Sequence, residues 1–129
     1  MLKPWQTAAL ILLGVALWGT VAMGIRAAPD AAVDPAKGLA AYIAAPLGGL
    51  LSVWLCKLVG KLSQDQLIPG VTIVGAVAMM LDGAVLKWLP AVYGINEKAL
   101  RLDAAWLLWG YGVAFAVAVI WAGCSRRHA

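Results

Sequence analysis

The chain has 129 residues, enough for one domain, and only 12% of them are charged, about half the ~25% of soluble domains. Hydrophobic residues make up 64%, and no apolar segment has the polar stripe that a helix facing water needs, which excludes a water-soluble helix bundle. The net charge of +4 is spread over loops and termini without a basic patch, so nucleic acid is excluded as a partner.

Four long apolar segments, separated by short charged loops, predict four transmembrane helices. They lie at about residues 4–25, 38–58, 65–89 and 103–124. Each is close to the roughly 20 residues that a helix needs to cross the hydrocarbon core of a bilayer. We therefore predict an all-α fold, an integral membrane four-helix bundle in which residues 1–129 form a single transmembrane domain with the lipid bilayer as its surroundings.

The first segment is predicted to be a retained helix rather than a secretory signal peptide. Its apolar run is longer than the roughly 7–15 residues of a signal-peptide core, and no small-residue cleavage site comes before Arg26. Residues 26–37 then contain two prolines and two aspartates, a composition typical of a loop.

The second segment carries a proline near its middle. Pro46 is followed by Gly48 and Gly49. Because proline lacks a backbone N–H and crowds the preceding turn, we expect a kink here, and Pro46 is the candidate helix hinge.

The third segment contains Asp82, the one acidic residue of the four segments apart from Asp65 and Asp103 at their first positions. A carboxylate inside a spanning helix costs a few kcal/mol on insertion scales and usually faces protein or a water-filled cavity. Gly75 and Ala78 precede Asp82 on the same helix face, which predicts that Asp82 points towards another helix. Asp82 is a candidate proton or ion-pair site together with Arg26, which emerges on the same side of the membrane. Alternatively, Asp82 makes an ion pair or a hydrogen bond that fixes helix packing, and the nearby cations favour this interpretation.

The fourth segment follows residues 91–103, where a short helical turn on the membrane surface is expected. Small residues then recur at four-residue spacing, a pattern typical of close helix packing. We call these residues the α4 seam: Gly110, Ala114, Ala118 and Ala122. The seam packs within the bundle itself or against another subunit, and the sequence leaves both alternatives open.

Orientation is predicted from the basic residues of the loops and termini. Five lie on the side of the termini and four on the other side. The excess places both termini in the cytoplasm under the positive-inside rule. The two groups are Lys3, Lys57, Lys61, Arg126 and Arg127 on the terminal side, and Arg26, Lys37, Lys98 and Arg101 opposite.

Motifs for chemistry are absent from the sequence. A metal site needs several donor side chains, and the single histidine, His128, is next to the last residue. Cys56 and Cys124 form no C-x-x-C pattern, and no catalytic triad or phosphate-binding loop is present. We predict no catalytic residues, no metal, no cofactor and no enzyme activity.

Several stretches resemble a family of small bacterial inner-membrane proteins of unknown function. They are GVALWGTVAMGIR, YIAAPLGGLL, AVAMMLDGAVLKWLPAVYG and AAWLLWGYGVAFAV. The resemblance implies a four-crossing bundle in the bacterial inner membrane and marks Arg26, Pro46 and Asp82 as family features, but it implies no activity. Small multidrug exporters have a similar outline but carry a glutamate in their first helix, which residues 4–25 lack.

Two functions are compatible with the sequence. The small-residue patterns favour an accessory or oligomeric subunit that acts through helix–helix association, with itself or another membrane protein as its partner. The alternative is a small proton-coupled transporter or channel that uses Asp82, with the helix break at Pro46 bordering a binding site.

Overall fold

The computed structural model describes residues 1–127, with side chains as far as Cys124. It contains four α-helices: α1 (Pro4–Ala27), α2 (Pro35–Gly60), α3 (Leu67–Trp88) and α4 (Glu97–Arg127). Single 3₁₀ turns lie at Gln64–Gln66 and Pro90–Val92. Each of the four is long and apolar enough to cross a membrane, so the prediction of an all-α membrane bundle is confirmed. His128 and the side chains of Arg126 and Arg127 lie outside the described residues.

Two helices begin earlier than the hydropathy pattern predicts, because polar residues cap them. Asp34 accepts the backbone N–H of Ala36 at 2.9 Å, and Pro35 occupies the first helical position, where its missing donor costs nothing. Asn96 accepts the N–H of Ala99 at 3.1 Å through its side chain, so α4 begins at Glu97 rather than near residue 103. The surface turn expected in residues 91–103 is therefore partly the first turns of α4.

The most extensive packing joins helices that are not neighbours in sequence. α1 packs chiefly against α3 and α2 against α4, while α1 and α4 hardly touch. In the first pair Gln6 bonds Gln66, 60 residues away, and Gly14 lies against Val74 at the same separation. A constant separation along both helices means that α1 and α3 run parallel.

The second pair is parallel as well. Trp106 bonds the carbonyl of Ala41, 65 residues away, and a Cβ added to Gly49 would lie 3.3 Å from the backbone of Ala114, at the same separation. Only a residue without a side chain allows this approach. The four helices thus form two parallel pairs, and their core lies between the pairs.

The outer surface is apolar. Leu12, Leu47 and Met80 are 70%, 72% and 67% exposed, and they belong to different helices. A soluble protein rarely exposes so much contiguous apolar area, whereas lipid tails solvate it without cost.

Candidate functional site

Asp82 is the buried charged residue of the described chain and is only 6% exposed. It lies about 9 Å before the end of α3 at Trp88, given the 1.5 Å rise per residue of a helix. Its Oδ1 accepts a hydrogen bond from the hydroxyl of Tyr93, and its Oδ2 accepts one from the hydroxyl of Tyr111. Both oxygens of the carboxyl group are thus hydrogen-bonded to phenol hydroxyls.

Trp18 of α1 completes the network. Its indole N–H donates to the Tyr93 hydroxyl at 2.9 Å. Because an indole can only donate, Tyr93 must direct its own hydrogen elsewhere, and Asp82 is the acceptor. Burial, and after it the hydrogen bond to Asp82, raises the pKa of the Tyr93 hydroxyl above its ordinary value, so this phenol stays neutral and remains a donor.

The expected partner Arg26 is not used. Its side chain is exposed at the last turn of α1, and among the described residues no ion pair joins it to Asp82. Lys87, on the same helix as Asp82, lies over the ring of Trp88 at 5.0 Å from its centroid. The structure therefore shows hydroxyl partners for Asp82 and corrects the prediction of an ion pair with Arg26. The arginine is exposed at the helix end, whereas the two phenols reach the carboxylate inside the bundle. Hydroxyl dipoles solvate the charge but do not cancel it.

A cavity of about 270 Å³ lies beside Asp82, between all four helices. The α2 wall is made of small residues, among them Ala45, Gly48 and Ser52. Aromatic side chains form much of the rest of the lining, which includes Trp18, Trp106, Tyr111 and Phe115. The cavity is therefore largely apolar, with one acidic group in its wall.

The cavity is not sealed. Ala44 and Gly48 line it and are nevertheless exposed. A Cβ added to Gly48 would meet no atom within 4 Å. Because both residues lie in the middle of α2, the opening is at membrane depth, where lipid surrounds the helix.

Pro46 lies inside α2, which remains helical to Gly60. Its missing N–H leaves the carbonyl of Tyr42 without its helical donor. The indole N–H of Trp109 donates to that carbonyl at 3.1 Å, and Trp106 donates to the neighbouring carbonyl of Ala41, also at 3.1 Å. Two tryptophans of α4 thus donate hydrogen bonds to the backbone carbonyls of the turn that precedes the proline. Whether Pro46 acts as a hinge stays a prediction.

The α4 seam faces the interior. Ala118 and Ala122 are 2% and 3% exposed and belong to the main core cluster. Ala114 lies against Gly49, and Gly110 lines the cavity. Ala114, Ala118 and Ala122 thus make contacts within the chain, whereas a Cβ added to Gly110 would meet no atom within 4 Å.

A second buried polar network lies at the other end of the bundle. Gln6 is 3% exposed and donates to the carbonyl of Gly60 at 2.9 Å and to the side chain of Gln66 at 3.1 Å. Its own oxygen accepts the N–H of Lys3 at 2.8 Å. This network is neutral and joins α1, the end of α2 and the start of α3.

Comparison with known proteins gives no relative: no family model, no curated protein and no solved structure matches this chain. The resemblance to a family of small inner-membrane proteins therefore stays a prediction. Within the described residues, no group of three or more histidine, cysteine, aspartate or glutamate residues could hold a metal ion.

Sequence reasoning singled out Asp82 but not its phenol partners, Tyr93 and Tyr111. A usable signal existed, because a tyrosine in an apolar segment needs a partner for its hydroxyl, and Asp82 is the one acid in the interior of these segments. Tyr93 offered less, since it follows Pro90 in what reads as a loop.

Proposed function

We propose that this protein is a small, non-enzymatic carrier of the bacterial inner membrane, with both termini in the cytoplasm. It binds a small lipophilic solute in the central cavity and couples the movement of that solute to a proton on Asp82. The observation that carries the proposal is the position of an uncancelled carboxylate in the wall of an apolar cavity at membrane depth.

The charge of Asp82 supports proton coupling. A buried charge without an opposite partner is costly in a low-dielectric interior, and the two phenols reduce this cost without removing it. A proton or a positively charged ligand removes it. A residue that exchanges a proton for a positively charged ligand beside a cavity is the basic element of a coupled carrier.

The position of the α4 seam argues against the association hypothesis as the primary function. Ala118 and Ala122 lie in the core and Ala114 lies against Gly49 of α2, so three of the four small residues that suggested a subunit interface pack within the chain. This supports packing of the bundle itself over contact with a second subunit.

Flux in proteoliposomes tests the proposal. Vesicles with a trapped pH-sensitive dye would receive an imposed gradient of each member of a panel of small aromatic amines and neutral aromatics. We expect at least one solute to drive proton movement in the wild-type protein and not in Asp82→Asn. Asp30→Asn is the matched control, since Asp30 is an exposed acid of the α1–α2 loop. Proton movement that no solute stimulates, or that Asp82→Asn leaves unchanged, would refute the proposed function.

A further inference from the structure

We infer that the solute is an organic monocation, an amine or quaternary ammonium ion with an aromatic body, bound with its charge against Asp82. This inference rests on the proposed carrier function and adds the chemical class of the solute. It is argued from the charge, the lining and the size of the cavity.

The charge of the site is the first step. The groups that face Asp82 are the phenols of Tyr93, from the α3–α4 connection, and Tyr111, from α4. α2 contributes one titratable group to the cavity, the thiol of Cys56, and α1 contributes none. Lys87 is on the same helix but is exposed and lies over a tryptophan ring. No described cation lines the cavity, so the positive charge that matches Asp82 has to come from a proton or from the ligand.

The lining of the cavity is the second step. Trp18, Trp106, Tyr111 and Phe115 line the cavity that has Asp82 in its wall. Aromatic faces attract ammonium groups, most strongly when water is excluded, and tryptophan does so best. The same rings solvate an aromatic body. An anion would be repelled by Asp82, and a strongly polar neutral solute would find few partners in the apolar wall.

The size of the cavity is the third step. A cavity of about 150 Å³ is enough to bind benzene in a protein core. The volume here is about 270 Å³, which leaves room for a single ring with an ammonium substituent. The small side chains of the α2 wall, including Ala45 and Gly48, create this room.

The exchange balances in charge. Protonated Asp82 releases its proton when the cation binds, and the carboxylate then pairs with the ammonium group, so one proton leaves for each cation bound. No covalent bond forms.

A pair of isosteric probes tests the inference. Phenyltrimethylammonium and tert-butylbenzene have the same shape and differ in charge. Binding would be measured in nanodiscs as protection of the protein from thermal unfolding, because a ligand that binds only the folded state raises its stability. The concentration of each probe in the membrane would be corrected by its partitioning into empty nanodiscs.

We expect the cation to protect the protein at a concentration at least about tenfold lower than the neutral probe does, a difference of about 1.4 kcal/mol. Asp82→Asn should abolish this preference without affecting the neutral probe. Acidification should weaken protection by the cation only. Gly48→Phe, which fills the opening, should reduce protection by both probes, whereas Gly112→Phe, at an exposed α4 glycine with equal free space, should not.

The outcomes separate the two proposals. Equal protection by both probes, or a cation preference that survives Asp82→Asn, identifies a pocket for neutral lipophiles and overturns the inference while the carrier function stands. Protection by the cation without any flux in proteoliposomes leaves the ligand class in place and refutes the carrier function. Protection by neither probe overturns the inference as well.

Discussion

Gln6 and Asp82 are both buried polar side chains in apolar helices, yet their surroundings differ. Gln6, at one end of the bundle, is neutral, and its hydrogen bonds link three chain segments. Asp82, near the other end, is acidic, receives hydroxyl donors alone and borders the cavity. The Gln6 end has the features of a structural clasp, because all the hydrogen-bond partners of Gln6 belong to the protein. The Asp82 end lacks a positive charge, and Asp82 is therefore suited to exchange a proton for a positively charged ligand.

The largest effect on stability is expected from Gln6→Leu. The substitution removes the side-chain donor to the buried carbonyl of Gly60, and a buried group left unsatisfied costs roughly 1–3 kcal/mol. We expect a loss of about 2 kcal/mol, measured as the free energy of unfolding in mixed micelles, with unchanged cation binding. Thr7→Val is the control, since Thr7 bonds only its own helix. Loss of cation binding in Gln6→Leu would contradict the view that the Gln6 end is structural and the Asp82 end binds the ligand.

A smaller loss of stability is expected from Tyr93→Phe. The change removes one of the two donors to Asp82 and leaves the indole of Trp18 without its acceptor. We expect a cost of about 1.5 kcal/mol, since hydrogen bonds to charged groups contribute about 1.5–3 kcal/mol and those inside membranes less. Tyr42→Phe is the matched control, since Tyr42 is an exposed tyrosine of α2. The same unfolding titration applies, and equal effects of the two changes would show that the phenol network does not stabilise the fold.

The Asp82 variants should change function much more than stability. Asp82→Leu removes an acceptor but also a buried charge, and these effects oppose one another. We expect a cost of about 1 kcal/mol for Asp82→Leu and less for Asp82→Asn, which keeps an acceptor. No cation is stranded, because Arg26 is not the partner. If an Asp82 variant lost more free energy of unfolding than Gln6→Leu in the same titration, Asp82 rather than Gln6 would be the main structural clasp.

The smallest effect concerns the proline of α2. Trp109→Phe removes the donor to the Tyr42 carbonyl and should cost about 0.6 kcal/mol, the average of hydrogen bonds measured in a membrane protein. In a Pro46→Ala background the alanine N–H can bond this carbonyl, so the same change should cost less. The double-mutant cycle measures this difference as a coupling energy. Additive effects would mean that the indole does not compensate for the proline.

Much of the fold was predictable from local sequence properties. Helix number and approximate spans follow from segment length and hydropathy, and the inward direction of Asp82 follows from the small residues on its face and from the cost of a charge in lipid. The early starts of α2 and α4 were missed, although Asp34-Pro35 and Asn96 are local capping signals. Hydropathy alone assigns such polar residues to a loop, and the helix caps that they form are then missed.

The sequence by itself determined that this is a four-helix membrane protein with one acidic residue turned inward, because those properties depend on composition and on periodicity along single helices. Only the tertiary structure decided that the helices form two parallel pairs, that Ala118 and Ala122 lie in the core, and that Tyr93 and Tyr111 rather than Arg26 meet Asp82. The same holds for the cavity, whose walls come from four helices. The physical reason is that contacts between residues far apart in the chain depend on the relative placement and rotation of whole helices, and many such arrangements bury similar apolar area.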